Sequence, residues 1–226
     1  MTDEDQPADQ SPRLQISLLN LLFCLTIAVL VIGYWNASRQ LNKTQSELAD
    51  LRRANGYLGE TPSDHIAAIR SPSDQPLTYR VRVRVPDKPK FRVAYSSIWK
   101  KESLNPSWFA AIAVPPGDSL VIVRILEDPR DEKWKITTLV RSDRGTKRIA
   151  TTLPDDQVAI FRSSHDSIGN GVGKQTTTVA KTECLRLLDE RWLVGEGGLM
   201  LYGDRPPERD QIGIYAELQP DIGPLH

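Results

Sequence analysis

From Leu14 to Trp35 the chain reads LQISLLNLLFCLTIAVLVIGYW, 22 residues without a charge. A helix of that length covers about 33 Å at 1.5 Å per residue, enough for a hydrocarbon core ~30 Å thick. Tyr34 and Trp35 close it with the amphipathic rings favoured at a membrane–water interface. A cleavable leader needs a basic start and a small-x-small site, whereas this start is acidic and Asn36-Ala37-Ser38 is a poor site. The run therefore predicts one transmembrane helix over 14–35. Of its polar residues, Asn20 either bonds to a second copy of the helix or sits near the helix end, within reach of interfacial water.

The helical period continues through Asn36–Leu58. With Leu41, Leu48 and Asn55 at a, positions d fall on Thr44, Leu51 and Leu58, and Glu47 at g faces Arg52 at the following e′. A buried Asn at a enforces a parallel dimer, but the pattern lasts only about two and a half heptads, short of the three or four a secure coiled coil needs. Two expectations follow: a short homodimer seam through Leu41, Leu48, Leu51, Asn55 and Leu58, or a plain stalk continuing the span. Gly56, Gly59 and Pro62 break the helix, and 59–76 reads as a linker with one short apolar turn at Ile66–Ile69.

At Leu77 the period changes to 2. Leu77, Tyr79, Val81, Val83 and Val85 alternate with Thr78, Arg80, Arg82 and Arg84, the pattern of a half-buried strand. Further strands are expected at 90–97, 108–114, 119–127, 133–141, 146–152, 157–162, 175–180 and 212–218. Leu120–Ile125 is apolar on both faces and should be central. Thr182–Trp192 fits a strand or one helical face, and Ile168–Gly173 reads as a long hairpin loop. Short strands with turn signals every 8–14 residues predict a mainly β domain, an antiparallel sandwich or barrel, over 77–220. A disordered acidic tail is expected at 1–13 and a C-terminal tail at 221–226.

Composition narrows the function classes. The 29 basic and 29 acidic residues cancel, so no global signature of nucleic-acid binding exists. Cys24 falls inside the span and Cys184 near the C-terminus, which leaves no disulfide framework and no zinc set. The strings Gly56-Tyr57-Leu58-Gly59, Asp64-His65-Ile66-Ala67-Ala68-Ile69 and Tyr79-Arg80-Val81-Arg82-Val83 resemble a group of uncharacterised, planctomycete-type bacterial proteins with a single span. The resemblance covers roughly 14–95 and implies the same layout of span, juxtamembrane coil and C-terminal β domain. It implies no activity.

No catalytic constellation emerges. GNGVGKQT at 169–176 lacks the first glycine and the Ser/Thr after Lys174 that a phosphate loop requires. Ser164, His165 and Asp166 are adjacent, so on an extended chain their side chains diverge rather than converge as a triad must. His65, His165 and His226 show no metal-ligand spacing. The acid pairs Asp155-Asp156 and Asp189-Glu190 sit beside turns or strand ends. No cofactor is implied.

The distinctive polar feature is basic: residues 80–101 hold eight basic side chains against one acid, Asp87. Arg80, Arg82, Arg84, Lys88, Lys90 and Arg92 are candidate contacts for anionic lipid headgroups, an anionic polymer or an acidic protein partner. Alternatively they pair with acids on neighbouring strands, for which 183–210, with seven acids and four bases, is the expected source. The rules for sidedness conflict: Arg13 alone precedes the span while Arg39, Lys43, Arg52 and Arg53 follow it, yet a short tail before an early span more often stays inside. An extracytoplasmic domain is the expectation. The whole predicts a membrane-anchored, non-catalytic binding or scaffolding protein. The alternatives are an envelope hydrolase with loop-borne carboxylates and a structural dimer subunit of a membrane assembly.

Overall fold

The computed structural model describes residues 18–163, 167–192 and 211–225. The acidic tail, the Asn20 side chain, His165, His226 and the acids of 193–210 lie outside these. The chain divides into two compact units, Met1–Ala49 and Asp50–His226.

The first unit consists of helix α1 (Leu18–Ala54) up to Ala49. Every described side chain from Leu21 to Ala37 is exposed, the apolar ones included. Among the described residues, one helix is thus long and apolar enough to span a membrane. Thr26 Oγ1 donates to Leu22 O at 2.9 Å, so this hydroxyl is satisfied within its own helix. Arg39 stacks its guanidinium 3.9 Å from the Trp35 ring centroid, joining the first cation after the apolar run to its last ring.

The end of α1 comes earlier than expected. Tyr57 N donates to Arg52 O at 2.9 Å, and Gly56 adopts φ 67°, the six-to-one bond and left-handed residue of a Schellman cap. Asn55 Nδ2 donates to its own helix at Leu51 O, 2.8 Å away. Asn55 and Leu58 therefore lie past the last helical residue, and the helical part of the proposed seam shortens to Leu41, Leu48 and Leu51.

The second unit holds β1 (His65–Ser71), β2 (Thr78–Val85), β3 (Phe91–Trp99), β4 (Ala110–Val114), β5 (Gly117–Asp128), β6 (Lys133–Ser142) and β7 (Gly145–Thr152). Helix α2 (Asp155–Arg162), β8 (Ser167–Gly169), β9 (Thr177–Ala180), β10 (Leu185–Trp192) and β11 (Gln211–Pro220) complete it. They form two antiparallel sheets, ordered β7-β6-β5-β2-β1-β9 and β4-β3-β11-β10-β8. Val81, Val83, Val121, Val123 and Ile136 of one sheet and Val93, Tyr95, Leu187, Ile214 and Leu218 of the other belong to one buried core. The mainly β architecture is as expected, with β5 central in its sheet.

Three segments differ from the sequence expectation. Residues 65–71, expected within a linker, form β1, hydrogen-bonded between β2 and β9 with Ile66–Ile69 fully buried. Four consecutive apolar residues suit a strand covered on both faces, a pattern that a short turn mimics. Residues 155–162, expected to hold a strand, form α2. Pro154 occupies the N-cap and Asp155 and Asp156 the first turn, where the helix dipole favours acids. Its buried face is Gln157 and Phe161, four apart. Finally, 168–173 is no hairpin loop: it carries the chain from β8 of one sheet to β9 of the other, with Val172 N bonded to Leu187 O at 3.1 Å and Val172 buried. The ambiguous 182–192 stretch resolves as strand β10.

Candidate functional site

In an antiparallel pair, residues directly opposite each other share a face. Register across β2, β5, β6 and β7 thus aligns Arg82, Leu120, Arg141 and Thr146 in one row of the outer face, and Arg80, Ile122, Leu139 and Arg148 in the next. A third row holds Thr78, Arg124, Thr137 and Ala150. At ~4.8 Å per strand, Arg80 and Arg148 stand about 14 Å apart, with Ile122 and Leu139 between them. Arg80, Arg141 and Arg148 are exposed; Arg82, Arg124 and the three apolar side chains are half-buried.

These rows contain no carboxylate. The neighbouring row pairs Arg84 with Asp118 through two bonds of 2.6 and 2.9 Å. This bidentate grip lowers the Asp118 pKa below the ordinary carboxylate range. Among the described residues, no ion pair engages Arg80, Arg82, Arg124, Arg141 or Arg148. Arg82 Nε, Arg124 Nε and Thr137 Oγ1 are buried without a hydrogen-bond partner, an arrangement that normally costs about 1–3 kcal/mol for each group.

The residues that follow α1 bound this face on the β1 side. Gly59 N bonds to Thr176 Oγ1 at 3.0 Å, Arg84 reaches Gly59 O at 3.1 Å, and Arg82 lies 4.8 Å from the Tyr57 ring centroid. A Cβ on Gly56 would overlap Ser71 of β1. Ala67 and Ile69 point to this outer face yet are fully buried.

The six basic residues singled out in the sequence do not form one patch. Arg80 and Arg82 belong to the rows above, Arg84 is neutralised by Asp118, and Lys88 and Lys90 lie exposed in the connection between β2 and β3. Arg92 belongs to the other sheet, bonded to Asp221 at 3.2 Å and to the carbonyls of Gly223 and Pro224. For Arg84 and Arg92 the expected source of neutralising acids is corrected: their partners are Asp118 and Asp221, while the acids of 193–210 lie outside the described residues. In 183–192, Asp189 and Glu190 hold Arg191 and Arg70, and Glu217 of β11 holds Arg186. Sequence reasoning missed Arg124, Arg141 and Arg148. The available signal was their place on the period-2 face that also holds Leu120, Ile122 and Leu139.

A second feature is an open cleft of about 730 Å3 beside the β1–β2 connection, lined by Arg70, Ser71, Ser73, Leu77, Tyr79 and Lys174 among others. Arg70 bonds to Glu190 of the opposite sheet at 2.5 Å and lies 5.0 Å from the Tyr79 ring centroid. Burial, reinforced by Glu190, pushes the Tyr79 pKa up to about 12. The cleft thus presents a closed ion pair and a neutral phenol. Asp189 and Glu190 occupy opposite faces of β10, each held by an arginine, so they do not form the converging carboxylate pair of a glycosidase.

Over the outer face of the five-stranded sheet, Arg186 lies 5.0 Å from the Trp99 ring and 5.5 Å from the Trp108 ring, and Arg191 lies 4.6 Å from Trp99. Trp99 in turn meets Tyr215 edge-on at 5.5 Å. This stack helps cover Tyr215, which is fully buried on that face. No group of three or more His, Cys, Asp or Glu able to hold a metal ion exists among the described residues.

The class that these observations define is a two-sheet antiparallel β unit behind an N-terminal helix able to span a membrane. Comparison with protein-family models, with curated proteins and with solved structures finds no match to the chain.

Proposed function

We propose that the protein is a membrane-anchored binding protein without catalytic activity: α1 fixes it in a bilayer and the β unit displays a recognition surface. The observation that carries this reading is the run of arginines on the outer face of the six-stranded sheet, with which no carboxylate forms an ion pair among the described residues. Keeping five guanidiniums on one face with no carboxylate ion-paired to them among the described residues costs stability through mutual repulsion, and an anionic partner relieves it.

Two measurements test it. Alkaline carbonate extraction of cells expressing the full chain should leave it in the membrane pellet; release into the supernatant removes the anchor. A compartment-sensitive reporter fused after His226 should be active only outside the cytoplasm. Activity only inside reverses the orientation and makes the cytoplasmic leaflet and soluble partners the candidates for the basic face.

A second reading, a parallel dimer through α1, is favoured by the exposure of Leu41, Leu48 and Leu51, at 58, 45 and 61%. Disulfide or chemical crosslinking between copies in membranes should then disappear in the Leu48→Ala, Leu51→Ala double variant. Crosslinking that survives the substitutions ends this reading.

A further inference from the structure

We propose that the outer face of the six-stranded sheet docks flat against an anionic lipid bilayer, with Arg80, Arg124, Arg141 and Arg148 taking lipid phosphates around an apolar centre of Leu120, Ile122 and Leu139. The inference rests on the membrane-anchored reading and goes beyond it by naming the ligand and the residues.

Charge complementarity is the first argument: the three rows carry five guanidiniums and no acid. Layout is the second. The arginines lie on four different strand positions in two dimensions, about 7 Å along a strand and 14 Å across the sheet. A linear acidic polymer follows a row or a groove, whereas a headgroup layer offers phosphates in two dimensions. The third is the mixture of chemistry. Leu120, Ile122 and Leu139 are half-buried among the arginines, and such a centre suits the boundary between headgroups and acyl chains. No aromatic side chain sits in the three rows, so single-stranded nucleic acid finds no stacking platform there. Guanidinium geometry matches phosphate oxygens two at a time. Tethering by α1 keeps the β unit at high effective concentration near headgroups, so weak individual contacts suffice.

The test uses the full chain in lipid nanodiscs. Cys24 and Cys184 are replaced by Ser, and Thr146→Cys, exposed at the end of the Arg82 row, carries a fluorophore. Lipids with a nitroxide headgroup act as quencher. Quenching is expected in discs containing about one-third phosphatidylglycerol, lost in pure phosphatidylcholine and lost again near 1 M salt, where the Debye length falls to ~3 Å. The variant with Arg80, Arg124, Arg141 and Arg148 all changed to Glu should reduce the docked-to-undocked ratio by more than about tenfold. The same four positions changed to Lys should retain docking, which separates charge from folding. Quenching that is equal in the two lipids, or unchanged by the Glu substitutions, overturns the proposal. So does protection of the face by added polyglutamate in phosphatidylcholine discs without quenching in anionic ones, which would assign it to an acidic polypeptide. A chain that enters the discs but shows no quenching defeats the lipid face alone. A chain that does not enter them defeats the anchor reading and this inference together.

Discussion

A methyl group at Gly56 would disturb two things at once. The residue caps α1 in the left-handed region at φ 67°, and its missing side chain lets the backbone lie against Ser71. Gly56→Ala is expected to cost about 1–2 kcal/mol for the backbone conformation alone, with the overlap added. A urea unfolding midpoint unchanged by the substitution would rule out this packing. Two titrating groups give pH signatures of opposite sign. The Arg130 and Lys135 bonds hold the Asp128 carboxyl well below the usual carboxylate range. Its folded pKa is therefore depressed, so its contribution is present above the unfolded value of ~3.9 and disappears as pH falls. Asp128→Asn should lower stability at neutral pH, and the gap from the native protein should close under acid conditions. Tyr79 is the reverse case. Its pKa is raised from 10.0 to about 12, so stability complete below pH ~10 is lost as pH rises toward the folded value. Tyr79→Phe should flatten that alkaline decline in denaturant midpoints measured on both sides of pH 10.

At the scale of elements, β1 and α2 carry the strongest tests, because each replaced a different expectation. Ile69 is 1% exposed although it lies on the outer face of its sheet. Ile69→Ala is expected to destabilise the β unit by about 2–4 kcal/mol, whereas in a linker the change would be neutral. Phe161 on α2 meets the Trp192 ring edge-on at 5.2 Å and is 5% exposed. Phe161→Ala should cost about 3–4 kcal/mol, measured as a fall in the unfolding midpoint. The helix bridges the β7 and β8 edges in sequence, and Gln157 accepts a 2.5 Å bond from Ser97 of β3. A polar tie of that kind orients a short amphipathic helix that propensity alone would not hold.

For the whole molecule, the balance of charges conceals a strongly polarised distribution. Acids of the five-stranded sheet and its flanks are consumed by Arg70, Arg186, Arg191 and Arg92. On the outer face of the six-stranded sheet Arg84 is held by Asp118, whereas Arg80, Arg82, Arg124, Arg141 and Arg148 have no ion-pair partner among the described residues. A partner that recognises this unit should therefore bind with a marked salt dependence, weakening as ionic strength rises past the physiological range. Binding unaffected by salt would point away from the basic face and toward the cleft beside Tyr79.

The uncharged run of 14–35, the switch from period 3.6 to period 2 at Leu77, and the turn signals behind it determined a helix able to span a membrane and the β class. Each is a pattern of neighbouring residues along the chain, and each survives folding because it does not depend on what packs against it. Ile66–Ile69 and Gln157–Arg162 were not legible in this way, since their apolar positions take meaning only from what covers them. The candidate site was half legible. Arg80 and Arg82 stand out on one strand, but Arg124, Arg141 and Arg148 join them only through the register of three hairpin-linked strands, and Arg84 and Arg92 leave through ion pairs with Asp118 and Asp221. Periodicity assigns a side chain to a face of its own strand. Which faces combine, and which charges find partners, is set by strand order and long-range pairing, and those are decided only when the chain folds.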